Sequence, residues 1–70
     1  MKNIFTDYLI NNGWLEVAPM SYKNGKDDLE IFFDTSNQIE IYNSTGRIKD
    51  AYLQNLEDLI AALRTIRTSL

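Results

Sequence analysis

The sequence predicts an α+β fold: a two-layer sandwich running helix, three- or four-stranded antiparallel sheet, helix, with both helices on one face of the sheet. Three observations lead there. Apolar residues recur at helical spacing near both ends of the chain. In the middle, QIEIY alternates apolar with polar residues, as half-buried strands do, and LEIFF does so except at Phe32. Turn-forming residues, Asn24-Gly25 and Thr35-Ser36-Asn37, punctuate the extended runs. Two apolar helix stripes and one apolar sheet face bury their surfaces by packing on one another.

The first helix is expected over residues 3 to 12. Ile4, Phe5, Tyr8 and Leu9 form its stripe, Asn3 can cap it, and Asp7 lies near the positive end of its dipole. Gly13 ends it by accepting a left-handed backbone. Residues 14 to 23 and 26 to 34 then flank Asn24-Gly25, which reads as a two-residue type I′ hairpin turn. That turn sets Lys23 opposite Lys26 and Met20 opposite Leu29, but the apolar faces fall out of phase beyond it. One extra residue near Pro19 restores the phase, pairing Val17 with Ile31 and Leu15 with Phe33, so a bulge or break on an edge strand is expected there.

The second hairpin reads more simply. A three-residue loop at Thr35-Ser36-Asn37, with Asn37 left-handed, sets Phe33 opposite Ile39 and Ile31 opposite Ile41. The pleat then separates an apolar face of Leu29, Ile31, Phe33, Ile39 and Ile41 from a face carrying Glu30, Phe32, Asp34, Gln38, Glu40 and Tyr42. Glu16 is expected to join that second face from the first strand, with Trp14 or Ala18 beside it. Residues 47 to 53 are ambiguous between a fourth strand and an early start to the last helix. From Leu56 onward the period is helical, through Leu59, Ile60, Leu63 and Ile66. Asn55 and Asp58 resemble a capping box, and Arg64 and Arg67 sit near the C-terminal end, as the macrodipole favours.

Composition excludes several chemistries. Cysteine and histidine are both absent, which removes disulfides, thiolate and imidazole metal sites, and any Cys or His nucleophile or base. At 70 residues the chain is expected to form one domain, residues 1–70, whose single core supplies only about 3–5 kcal/mol of net stability. No run approaches the ~20 apolar residues of a membrane span, and Asp7 interrupts what a signal peptide would need, so a cytoplasmic protein is expected. A net charge of −3 disfavours nucleic acid and anionic membrane as direct partners.

The order helix, three strands, helix is similar to that of the double-stranded RNA-binding domain. That family grips phosphates with basic residues at the start of its last helix. Here the matching turn is Asn55-Leu56-Glu57-Asp58, which repels them, and no family assignment follows.

Neither a metal nor a cofactor is expected. The oxygen-bearing run from Asp34 to Glu40 lacks the turning glycine and terminal bidentate glutamate of a calcium loop and reads as a polar hairpin loop. Glu30 and Glu40 could sit near each other, but a flat sheet face offers too little concavity to bind a substrate and separate two carboxylate pKa values. Catalysis is therefore not expected.

The remaining candidate is the face of Glu30, Phe32, Asp34, Gln38, Glu40, Tyr42 and Glu16. Residues 27 to 40 hold five acids and no base, so the face suits a basic protein partner, with the aromatic rings supplying buried area. The sequence thus suggests a small non-enzymatic protein-binding module. A sharper version, prompted by size, acidity and the seven asparagines and eight isoleucines of an AT-rich coding bias, is a phage or mobile-element inhibitor of a host nucleic-acid-binding protein. The rival reading is a structural or assembly protein, an obligate homodimer packing its helices together, with Tyr52, Leu63, Ile66 and Leu70 as its apolar surface.

Overall fold

The computed structural model describes residues 2–69. It has two helices and a five-stranded antiparallel sheet, an α+β fold with one strand more than the upper expectation. The elements run α1 (Ile4–Asn11), β1 (Leu15–Ala18), β2 (Ser21–Asn24), β3 (Leu29–Phe33), β4 (Gln38–Asn43), β5 (Gly46–Tyr52) and α2 (Leu56–Ser69). Each strand pairs with its neighbours in sequence, so the sheet order is β1-β2-β3-β4-β5.

α1 starts where Asn3 caps it. The Asn3 side chain accepts hydrogen bonds from the Phe5 and Thr6 N–H groups, at 2.9 and 3.0 Å, and Thr6 Oγ1 accepts from Asn3 N–H at 2.9 Å, closing a capping box. Gly13, at φ +91°, takes the left-handed conformation expected after the helix. The buried face is Phe5, Thr6 and Leu9, with Tyr8 partly buried against the core. Ile4, expected in the stripe, is exposed instead.

The extra strand arises at Pro19. The expected break there is a complete reversal: Ala18 pairs with Ser21 across Pro19-Met20, and Met20 takes φ +70°. Proline at the first turn position followed by positive φ is the type II pattern, which ordinarily calls for glycine. β1 therefore pairs with β2, and the expected partners Val17–Ile31 and Leu15–Phe33 do not meet; instead Leu15 lies opposite Lys23 and Glu16 opposite Tyr22, with a bulge at Val17.

Asn24-Gly25 is a turn, but not a two-residue one. β2 and β3 join through a four-residue loop, 25–28, in which Asp28 rather than Gly25 has positive φ. Asn24 pairs with Leu29, and its side chain accepts the Lys26 N–H at 3.0 Å. Lys23 accordingly faces Glu30, not Lys26.

The β3–β4 register is the one the alternation predicts. Ile31 faces Ile41, Phe33 faces Ile39, Phe32 faces Glu40 and Glu30 faces Tyr42. Asn37, however, is not left-handed, since the positive-φ non-glycine residues are Met20 and Asp28. Thr35 closes that loop by accepting the Asn37 and Gln38 N–H groups on its hydroxyl, at 3.3 and 3.1 Å. The segment from residue 47 resolves as strand as far as Tyr52, with Leu53 just beyond it: β5 pairs with β4 from Asn43–Gly46 to Gln38–Tyr52, with a bulge at Ile48.

α2 carries the expected cap. Asp58 N–H donates to Asn55 Oδ1 at 3.1 Å, while Asp58 Oδ2 accepts from Gln54 N–H at 2.7 Å. Arg67, which the sequence assigns only to the helix dipole, also holds Asp27 of the β2–β3 loop through Nε at 3.0 Å and Nη2 at 2.8 Å.

One hydrophobic cluster joins these elements. Phe5 and Leu9 of α1, Leu59, Leu63 and Ile66 of α2, and Leu29, Ile31, Phe33, Ile39 and Ile41 of the sheet are all buried in it, with Trp14, Tyr22 and Leu53. The Tyr22 and Phe33 rings meet edge to face at 5.8 Å. Among the described residues no helix is long and apolar enough to cross a membrane.

Candidate docking face

The pleat decides which side chains share the second sheet face. Residues directly opposite each other in an antiparallel ladder project to the same side, so the registers define two complete rows. One row reads Ser21, Phe32, Glu40, Asp50. The other reads Leu15, Lys23, Glu30, Tyr42, Arg47. Asp34 and Gln38 flank the β3–β4 loop, and Tyr52 lies opposite Gln38.

Six of the seven predicted residues therefore share one surface. Phe32 is 37% exposed and Glu30, Glu40 and Tyr42 are half-buried around it. Glu16 does not belong. It lies opposite Tyr22, which lies opposite the buried Ile31, so Glu16 sits on the core side of the sheet at its edge. There it borders a cleft with Thr6, Asp7 and Tyr22, and its Oε2 accepts the Tyr22 hydroxyl at 3.4 Å. Burial, together with the nearby Glu16 carboxylate, raises the Tyr22 pKa above the ordinary 10.0. Trp14 is also in the core rather than on the face, while Ala18 is exposed opposite Ser21.

The face has six members that sequence reasoning missed: Leu15, Ser21, Lys23, Arg47, Asp50 and Tyr52. The two-residue turn expected at Asn24-Gly25 gives Lys23 a different partner. Arg47 and Asp50 are three residues apart, which places them on opposite faces of a regular strand; the bulge at Ile48 restores them to one side. No sequence signal announces that bulge. The surface is thus not free of bases, as the β3–β4 sequence suggests, but holds four carboxylates against two cations.

At its centre the polar groups are wired together. The Tyr42 hydroxyl donates to Glu40 Oε1, and Arg47 Nη1 lies 4.0 Å from the same oxygen. Hydrogen bonds from Tyr42 and then Asp34 hold the Glu40 pKa below the ordinary 4.5. The same partnership with Glu40 pushes Asp34 above the ordinary 3.8, and Glu40 also raises Tyr42 above 10.0. Asp34 and Glu40 are thus shifted in opposite directions by their partnership.

No protein-family model, curated protein or solved structure matches the chain. The element order also departs from the double-stranded RNA-binding domain, with five strands in place of three. At the start of α2, Asn55 and Asp58 are engaged in the cap. The apolar surface expected for a helix-mediated homodimer is reduced as well. Leu63 and Ile66 are buried in the core, Tyr52 projects from the sheet at 58% exposure, and Leu70 lies outside the described residues. Among the described residues, no three His, Cys, Asp or Glu side chains converge as metal ligands.

Proposed function

We propose that this chain is a small non-enzymatic protein-binding module that docks the face of Phe32, Tyr42, Glu30, Asp34, Gln38 and Glu40 onto a basic protein surface. In this reading the two helices cover the opposite, apolar face as a second layer, which the shared hydrophobic cluster supports. The observation that carries the reading is an exposed phenylalanine flanked by Glu30, Asp34 and Glu40 on a sheet side that contributes nothing to the core. The ring supplies apolar area to bury; the acids select the sign of the partner. A cytoplasmic site and a phage or mobile-element inhibitor of a nucleic-acid-binding protein are the narrower form of the proposal. Charge complementarity supports that form, since a surface evolved for phosphates is basic.

A pulldown comparing the native chain with Phe32→Ala/Glu40→Lys tests the docking face. A specific basic partner is expected to be lost by the double variant, and added DNA or RNA should compete for it if the partner binds nucleic acid. Undiminished recovery by the double variant would refute the face. The assembly reading retains the exposed Ile4 and Ile10 of α1 as apolar contact area. Light scattering decides it: a strict monomer at micromolar concentration ends that alternative.

A further inference from the structure

β5 ends the sheet, and alternate residues of its backbone are directed away from it. Leu53 N–H donates to Asn37 O at 2.7 Å, which sets the parity of the β4–β5 ladder. Residues that exchange hydrogen bonds alternate with residues that do not, so Lys49 and Ala51 turn their N–H and C=O groups toward β4. Asp50 and Tyr52 turn theirs outward. Beside this edge lies a shallow groove of ≈ 530 Å³ between β5 and α2, walled on the helix side by Ala61, Ala62 and Thr65. The opposite edge is a poorer template. β1 has four residues, a bulge at Val17 and Pro19 immediately after it.

We infer that β5 accepts an extended segment of the basic partner as a sixth, antiparallel strand along Lys49–Tyr52. The inference rests on the basic partner proposed above and specifies how part of it binds. Main-chain hydrogen bonds supply affinity in such strand addition, and alternate side chains supply specificity. On the outer side an added strand continues the row Phe32, Glu40, Asp50. The residue facing Asp50 is therefore Lys or Arg, beside Asp50 and with Glu40 one strand further along the same row. The residue facing Tyr52 is aromatic or β-branched. On the groove side a residue facing Ala51 packs toward Ala61 and Ala62, and one facing Lys49 is acidic. A second copy of the chain is a worse occupant: twofold pairing centred on Lys49 or Asp50 sets like charges directly opposite each other, and pairing centred on Ala51 sets Asp50 opposite Tyr52 and gives it no cation. The bulge at Ile48 ends the usable run, so the added segment is short.

The probe is an acetylated, amidated peptide, TVYVRET, whose tyrosine, second valine, arginine and glutamate would face Tyr52, Ala51, Asp50 and Lys49. Its control, TVYVERT, exchanges the two charges. Amide NMR is expected to show slowed hydrogen exchange at Asp50 and Tyr52 with TVYVRET, and the control should bind at least about fivefold more weakly. Asp50→Pro removes an outward N–H at an edge position where proline is tolerated, and should abolish binding. Asp50→Asn keeps that N–H and should weaken binding about fivefold or less. The amide readout uses the unaltered chain, so it stands whether or not the proline variant folds. Protection absent from Asp50 and Tyr52, equal binding of the two peptides, or binding of neither overturns the inference. Dimerisation without peptide that Asp50→Pro abolishes would assign the edge to a second copy and overturn it too. A basic partner captured through Phe32 and Glu40 but indifferent to Asp50→Pro would leave the docking face in place and remove the edge.

Discussion

Asp34, Glu40 and Tyr42 make a statement about pH that can be checked one residue at a time. Glu40 is held low, so its contribution to stability is present above the ordinary glutamate value and is lost as pH falls through its depressed pKa. Asp34 is held high, so its contribution has the opposite sign: it is present below the ordinary aspartate value and is lost as pH rises through its elevated pKa. Tyr42, also held high, contributes until pH rises through its elevated pKa, above 10.0. A carboxyl-carbon NMR titration should find Asp34 above 3.8 and Glu40 below 4.5. Glu40→Gln should return Asp34 toward its ordinary value, and Tyr42→Phe should raise Glu40. An Asp34 titration unmoved by Glu40→Gln would dissolve the pair. Alternation alone located these three side chains on one face, but their hydrogen bonds depend on rotamers that no pattern of letters encodes.

At the scale of elements, the turns separate what sequence makes legible from what it hides. The β3–β4 hairpin was readable because its apolar period of two tolerates only one register, a slip of one residue turning Ile31 and Ile41 out to solvent. The capping signals of α1 and α2 were readable for a similar reason: a short polar side chain stands directly before each apolar stripe. The β1–β2 reversal was not, because it depends on Met20 adopting φ +70°, a conformation its residue type disfavours. Asn24-Gly25 misled in the other direction, since the strongest hairpin dipeptide here only opens a longer loop. The glycines provide the test. Gly13 and Gly46 have φ of +91° and +124°, whereas Gly25 does not have positive φ, and an added Cβ meets nothing within 4 Å at any of the three. Gly13→Ala and Gly46→Ala should therefore each cost about 1–2 kcal/mol in urea unfolding, from backbone strain alone. Gly25→Ala should fall within about 0.5 kcal/mol of the native chain. A Gly25→Ala loss as large as that of Gly46→Ala would restore the two-residue turn.

For the whole molecule, chain order and spatial order coincide through the sheet. Every strand pair is between sequence neighbours, so each ladder closes a short loop at small entropic cost. The helices differ: α1 and α2 stand at opposite ends of the chain, yet Phe5 and Leu9 share one core with Leu59, Leu63 and Ile66. Completing that core requires closure of nearly the entire chain, and it is reached most cheaply after the meander has formed. The expected transition state therefore holds β3 and β4 paired, with the last turn of α2 still unpacked. Ile41→Val, in the central hairpin, and Ile66→Val, near the end of α2, each remove one buried methylene at a cost of about 0.5–1.5 kcal/mol. In stopped-flow folding Ile41→Val should chiefly slow refolding, while Ile66→Val should leave refolding nearly unchanged and accelerate unfolding. The reverse assignment would mean that the helices dock first and the sheet forms on them. The surface implicated in docking stands outside this sequence of events, because Phe32 and its carboxylates project away from the core that folding assembles. Phe32→Ala/Glu40→Lys leaves that core intact but takes Glu40 out of its hydrogen bonds with Tyr42 and Asp34, so its urea midpoint is measured beside the pulldown, and a folded double variant that loses the partner has lost binding.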